Sequence, residues 1–300
     1  MKPTTDAPVH SDLPTFDPNE QLASVFLSNV TDFKTRLNLR AVSTAFLLAE
    51  KQNPSTPLDP RTTQTFGEFC EAAGNFKKSY EWFKKSVEQD EGQSARKAHS
   101  MFHLACCLQN GKGVEENPNE ALKWCVRAAE AGSTHAMMLL GFSYFAGLQG
   151  VAKDKAMAVM WLQRAVAGGD HPNALFVLGQ MFIKGDGVDK DVTLGVEYLE
   201  KAADLGHPVA QNQLGMMYKD GREGVVQDVE MGLKWLEKAA EQGEAEAQNV
   251  LGLHYLQTEK YEKSVSHWEK AAEQGHPGAQ FGLGVCYSNG FGVKEILRPR

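Results

Sequence analysis

Bulky, small and glycine positions recur along this chain in a fixed order. A bulky residue appears at Trp82, Trp124, Trp161, Tyr198 and Trp235, and from Trp124 onward the interval is a constant 37 residues. Small residues follow in register at Ala128-Ala129, Ala165-Val166, Ala202-Ala203, Ala239-Ala240 and Ala271-Ala272. A glycine comes next at Gly132, Gly169, Gly206, Gly243 and Gly275. A second signature recurs ahead of the bulky column, before Trp161, Tyr198 and Trp235 and twice more beyond them: Leu140-Gly141, Leu178-Gly179, Leu214-Gly215, Leu251-Gly252 and Leu283-Gly284. Columns that stay in step over five units are the mark of a repeat architecture, in which one short structural unit is stacked many times.

Each column has a physical task. The Leu-Gly pair predicts the middle of a first helix, where glycine costs about 1 kcal/mol relative to alanine and is justified by the close approach of a second helix. The Trp/Tyr column is expected on that second helix, filling the space between neighbouring units, with the alanine pair as a closely packed stripe beneath it. The terminal glycine is expected at φ > 0, ending the helix. Pro172, Pro208 and Pro277 then open the next first helix, where a missing N–H costs nothing. Loops such as Gly111-Lys112-Gly113-Val114 and Gly185-Asp186-Gly187-Val188 join the two helices. Two units are shorter, with 15 residues from Gly67 to Trp82 and from Gly252 to His267, against 20 from Gly215 to Trp235. In the second of these the glycine loop is missing, and His267 takes the bulky column with Trp268 beside it.

The edges differ from the array. Residues 1–16 are polar, with scattered Pro, Asp and Thr, and predict a disordered tail. Asp17-Pro18-Asn19-Glu20 predicts a helix start, with an N-cap, a first-turn proline and a capping-box glutamate. Apolar residues from Leu22 to Leu47 continue at helical spacing, so residues 17–61 are expected to form a helical cap and linker, and residues 62–300 the repeat array. The last unit has its first helix, Ala279 to Ser288, and then stops at Glu295-Ile296-Leu297-Arg298-Pro299-Arg300. Either that helix is the cap, or a partner or second copy covers it, which allows a homodimer through this unit, or the array is incomplete.

The pattern A-x-x-x-L-G-x-x-Y-x-x-G-x-G-V, followed by W-x-x-x-A-A-x-x-G, resembles the Sel-one-like repeat family, a cousin of the tetratricopeptide repeats. The resemblance covers roughly residues 62 to 293. It implies an all-α fold, a right-handed α/α solenoid of helix-turn-helix repeats, and it accommodates the two shorter units at tetratricopeptide length. The function it implies is a scaffold or adaptor that binds a partner protein or peptide on the concave face of the first helices. Two other readings stay open: a relative of secreted effectors or cell-wall hydrolases, and a self-assembling structural protein.

Composition narrows this further. Hydrophobic residues make up 42% of the 300 and charged ones 23%, enough apolar surface to bury a core. The formal net charge is −7 and basic residues never run longer than a pair, which argues against nucleic acid as a partner. No stretch reads as a signal peptide or a membrane span, and the five cysteines (Cys70, Cys106, Cys107, Cys125, Cys286) do not recur in matched pairs, so a reducing, cytoplasmic setting is expected. Asn29-Val30-Thr31 is therefore a sequon in form alone.

Candidate chemistry is thin. His135, His171 and His207 recur every 36 residues and suggest a ligand ladder. Successive turns of a solenoid lie on the order of 10 Å apart, too far to share a metal bound at about 2 Å, so they are read as turn histidines. Adjacent Cys106 and Cys107 point to different helix faces, and Asp186, Asp189 and Asp191 lack the central glycine of a calcium loop. No nucleophile elbow, phosphate loop or paired acid and base stands out, so no cofactor, metal or catalytic residue is expected.

The tetratricopeptide geometry places the residue two before each signature glycine on the concave side. With the offset between repeats, the positions three before and one after it are the expected groove pair. They are Phe102 with Cys106, Met138 with Phe142, Phe176 with Gln180, Asn212 with Met216, and Asn249 with Leu253. Aromatic and methionine side chains there suit apolar groups of a partner, and Asn212 and Asn249 offer amide hydrogen bonds to an extended segment. The competing reading is that Phe102, Met138 and Phe176 pack between neighbouring first helices.

Overall fold

A computed structural model of the protein describes residues 60–292, apart from 73, 93 and 149. The expected tail at 1–16, nearly all of the cap and linker at 17–61, and the final residues from Glu295 to Arg300 lie outside the described residues. Thirteen helices and no strand occur among the described residues. The described residues fall into two compact units, divided after Val151.

The first unit contains α1 (Pro60–Ala72), α2 (Phe76–Gln89), α3 (Ala95–Asn110), α4 (Pro118–Glu130) and α5 (Thr134–Ala146). The second contains α6 (Lys155–Ala167), α7 (Pro172–Lys184), α8 (Val192–Asp204), α9 (Pro208–Asp220), α10 (Val229–Glu241), α11 (Ala245–Gln257), α12 (Tyr261–Glu273) and α13 (Pro277–Asn289). Helical hairpins pack as α1 with α2 and α3 with α4 in the first unit, and as α7 with α8, α9 with α10 and α11 with α12 in the second. The two shorter units turn in three residues, 73–75 and 258–260.

Local sequence sets the helix ends. Every second helix before α12 starts at a side-chain cap: Asn75, Asn117, Asp154, Asp191 and Asp228 each accept the backbone N–H three residues on. From Asn117 this column too repeats every 37 residues, and each cap is worth about 1 kcal/mol. First helices end at left-handed glycines where a loop follows, as at Gly111, Gly185 and Gly221. Pro172, Pro208 and Pro277 occupy the first turn of α7, α9 and α13, as their spacing predicts. The terminal glycines Gly132, Gly206, Gly243 and Gly275 have φ between 82 and 96°; Gly169 has no such φ.

The core departs from the sequence reading in one respect. The bulky column does not form the centre of the helix contact; the residue after it does. Phe83, Cys125, Leu162, Leu199, Leu236 and Trp268 are all buried, most of them completely. Of the bulky residues only Trp161 is buried, while Trp82, Trp124, Tyr198 and Trp235 are half-buried. Their rings lie on the flank of the second helix, each under a cation three residues on: Lys85, Arg127, Arg164, Lys201 and Lys238. An amphipathic ring stays on the flank because its face can be covered by a charged side chain that remains in water. The site over the signature glycine needs a smaller branched or compact group. The alanine stripe behaves as expected, with Ala128, Ala129, Ala202, Ala203 and Ala239 at most 1% exposed.

The glycine loops also bind units together. The second glycine of the loop after α7, Gly187, sits on the start of α6 with φ +77°, and a β-carbon there would lie 2.4 Å from the Lys155 carbonyl carbon. Lys155 Nζ meets Asp186 Oδ1 at 2.7 Å across the same seam.

Candidate partner-binding face

The ten residues expected in a groove fall into three groups. Phe102, Cys106, Met138, Phe142, Phe176 and Asn212 are buried, none more than 8% exposed, and so offer a partner no surface. Gln180, Met216 and Asn249 are half-buried, and Leu253 is 48% exposed.

The buried group has identifiable neighbours. The Phe176 ring stacks on His207 at 4.7 Å, and Phe102 lies 5.8 Å from His135. Both contacts reach from one first helix to the start of the next. The position three before the signature glycine is therefore a packing position between first helices in these units. Asn212 keeps the position but not the chemistry: its Oδ1 is buried without a hydrogen-bond partner, a cost of about 1–3 kcal/mol. In the next unit Asn249 Oδ1 accepts from Trp268 Nε1 at 3.1 Å, because Trp268 replaces the usual leucine.

The position one after the glycine stays accessible in the second unit. Gln180 Nε2 donates to Gln213 Oε1 at 3.2 Å, joining α7 to α9. Gln213 stands two before its own glycine, so that column belongs beside this one on the same face. Met216 packs on the cluster of Leu236, Ala239, Leu251 and Tyr255, as does half-buried Val250. The accessible stripe thus runs from amides on α7 and α9 to the apolar Met216, Val250 and Leu253.

The remaining chemistry is structural. His171 and His207 are the N-cap residues of α7 and α9, and His135 lies in the first turn of α5. His207 Nδ1 accepts the Ala210 N–H at 3.1 Å, and burial pulls the imidazole down to about 4. Its ring is thus a neutral cap with the proton on Nε2. None of the five cysteines lies in a disulfide, and all are buried. Burial pushes the Cys107 and Cys125 thiols up to about 12 and Cys106 well above its ordinary value, so these thiols do not supply a thiolate nucleophile. Asp191 is the cap of α8 and Asp186 is paired with Lys155, which accounts for two of the three aspartates in that loop. Among the described residues no group of three His, Cys, Asp or Glu side chains is placed to hold a metal. Also among them, no helix is long and apolar enough to cross a membrane.

Comparison with known proteins fits this geometry. The Sel1 repeat matches seven times, over residues 65–91, 98–133, 134–170, 172–207, 208–244, 245–276 and 277–295. Chitin synthase regulatory factor 2 of Schizosaccharomyces pombe is 35% identical over 85 residues, 28% of this chain; the match spans only 15% of that protein's length. A protective antigen of uropathogenic Escherichia coli with an SLR fold superposes with a TM-score of 0.71 at 27% identity, covering 86% of this chain and 54% of the antigen. A Sel1 repeat protein of Oxalobacter formigenes superposes with a TM-score of 0.58 at 30% identity, covering 73% of this chain and 90% of the other. With the repeat matched over most of its length and its helical hairpins in the same register, the chain belongs to the Sel1 repeat family.

Proposed function

We propose that the protein is an adaptor that holds a partner protein or peptide on the first-helix face of its second unit. Sel1 repeat proteins generally mediate protein–protein interaction and are generally non-catalytic, and this chain has the repeat throughout its described length. The observation that carries the reading is the stripe of Gln180, Gln213, Met216, Val250 and Leu253. It places half-buried amides beside accessible apolar groups on rigid helices, with Leu253 48% exposed. Amides that pair only with each other exchange readily for the backbone of an extended segment, and Met and Leu take apolar side chains. The similarity to a protein named as a regulatory factor supports a role exerted on another protein rather than on a small substrate. The five buried cysteines, none of them in a disulfide, favour a reducing compartment such as the cytoplasm.

Affinity capture with tagged full-length chain tests this, comparing wild type with the double variant Met216→Lys, Leu253→Lys. Capture of the partner should fall at least about tenfold, equivalent to 1.4 kcal/mol of contact energy, while the thermal melt stays in place. Unchanged capture by the folded variant would move the binding surface elsewhere.

A further inference from the structure

The accessible stripe on the first helices of the second unit is uncharged. From α7 to α13 its two columns, two before and one after each signature glycine, hold no charged residue, in a chain that is 23% charged with a net charge of −7. Lys219, farther along α9, is paired with Asp220 at 2.5 Å. The stripe therefore selects an occupant by shape and hydrogen bonding rather than by charge.

Neighbouring first helices of this unit touch. Phe176 of α7 stacks on His207 at the start of α9, and His276 Nε2, at the start of α13, lies 2.8 Å from Glu246 Oε2 of α11. Helices in such contact lie about 8–10 Å apart, so the equivalent positions Met216, Leu253 and Val285 recur at about that interval. A β-extended segment returns a side chain to one face only every ~6.6 or ~13 Å, out of step with the row. An α-helix does so every ~10.5 Å, but its own backbone bonds leave the amides of the stripe unanswered. A polyproline II segment rises ~3.1 Å per residue with three residues per turn, so every third side chain recurs at ~9.3 Å and the backbone stays unbonded.

The polar and aromatic groups fit that third form. The bond from Gln180 Nε2 to Gln213 Oε1 leaves Gln180 Oε1 to accept and Gln213 Nε2 to donate. At the other end of the row, Phe281 of α13 is 76% exposed and offers a ring face on which proline packs. We propose that the stripe takes a neutral, proline-rich segment in the polyproline II conformation, an assignment that presupposes the adaptor role. Every third side chain of the segment is apolar and lies over successive first helices, at Met216 and Leu253. The amides of α7 and α9 bond its backbone, and Phe281 receives a proline ring. Such a segment is already ordered when free, so little conformational freedom is lost on binding.

Isothermal titration of the full-length chain with an acetylated, amidated peptide of four Leu-Pro-Pro units tests this. Binding should saturate with a Kd below about 1 mM, and Met216→Lys, Leu253→Lys should weaken it at least about tenfold with the thermal melt in place. A peptide of the same composition with its leucines consecutive loses the every-third spacing and should bind at least about tenfold more weakly. No saturable binding, equal binding of the two peptides, or undiminished binding by the folded lysine variant overturns the assignment. Tighter binding of a neutral helical peptide with leucine at every seventh residue overturns it as well. Partner capture that the lysine variant loses, with no binding of the Leu-Pro-Pro peptide, keeps the adaptor face and removes only the polyproline occupant; capture that survives in the variant removes the face itself.

Discussion

The Leu236 side chain occupies the space that a β-carbon on Gly215 would need: the two positions are 2.7 Å apart, and the Gly232 carbonyl oxygen is 2.9 Å away. α9 and α10 therefore touch backbone to backbone at this point. Gly215→Ala gains about 1 kcal/mol of helix propensity and meets an overpacking cost of about 1–3 kcal/mol or more. The net effect should be destabilising. The equivalent glycine of α13, Gly284, has no atom within 4 Å of its β-carbon site, and there the same change should stabilise by roughly 0.5–1 kcal/mol. Urea midpoints of the two variants moving in the same direction would show that the contact at Gly215 is not limiting.

The position after the bulky column, rather than the column itself, should dominate stability in the second unit. Leu236→Ala should cost about 2–5 kcal/mol, because Leu236 is completely buried. Trp161→Ala should cost about 3–5 kcal/mol, since this ring alone among the bulky column is buried, at 6% exposed. Trp235→Ala should cost clearly less than either, as its ring is half-buried under Lys238 at 3.9 Å. Denaturant titrations of the three variants establish the order; neighbour-only coupling between repeats should broaden the melts.

His207 should make the second unit sensitive to acid. Its folded value, about 4, lies below the 6.5 of an exposed imidazole, so the unfolded chain takes up a proton first. Stability is complete above pH 6.5 and is lost as the pH falls from 6.5 towards 4, by up to the order of 3 kcal/mol. Protonation would also turn Nδ1 from acceptor to donor and abolish the cap on Ala210. His207→Asn keeps a cap without a titrating group and should flatten that part of the stability–pH curve. A slope identical to wild type between pH 6.5 and 4 would assign the acid sensitivity to other groups.

The five thiols should be silent in the native state. Each is buried, and a thiol held near 12 is almost entirely protonated at pH 8. Ellman's reagent should titrate five thiols in guanidinium and react with the native protein only as fast as it opens. Prompt native reaction at any of Cys106, Cys107 or Cys125 would contradict their burial.

Much of the architecture was legible in the sequence because it depends on local chemistry repeated in register. The Leu-Gly signature, the alanine pairs, Pro172, Pro208 and Pro277 at helix starts, and the two three-residue turns all follow from what a residue does to its own helix or turn. The Asn/Asp caps from Asn117 to Asp228 carried an equally plain signal at the same 37-residue interval, and residue spacing alone would have found them.

What the tertiary structure decided is how neighbouring helices meet, which depends on rotations of a few tens of degrees that a one-dimensional pattern does not encode. One residue along a helix is a turn of about 100°, enough to exchange a core position for a flank position. That turn separates Trp235 from Leu236. It also separates Asn212 from Gln213, so that Gln213 rather than Asn212 faces Gln180. The His–Glu bridges between α1 and α3, His99 with Glu68 and His103 with Glu71, were equally invisible, because residues 31 and 32 positions apart meet only when two first helices lie side by side. The sequence by itself determined which segments are helices, where they begin and end, and that they repeat; packing between helices decided which side of each one is core, seam or surface.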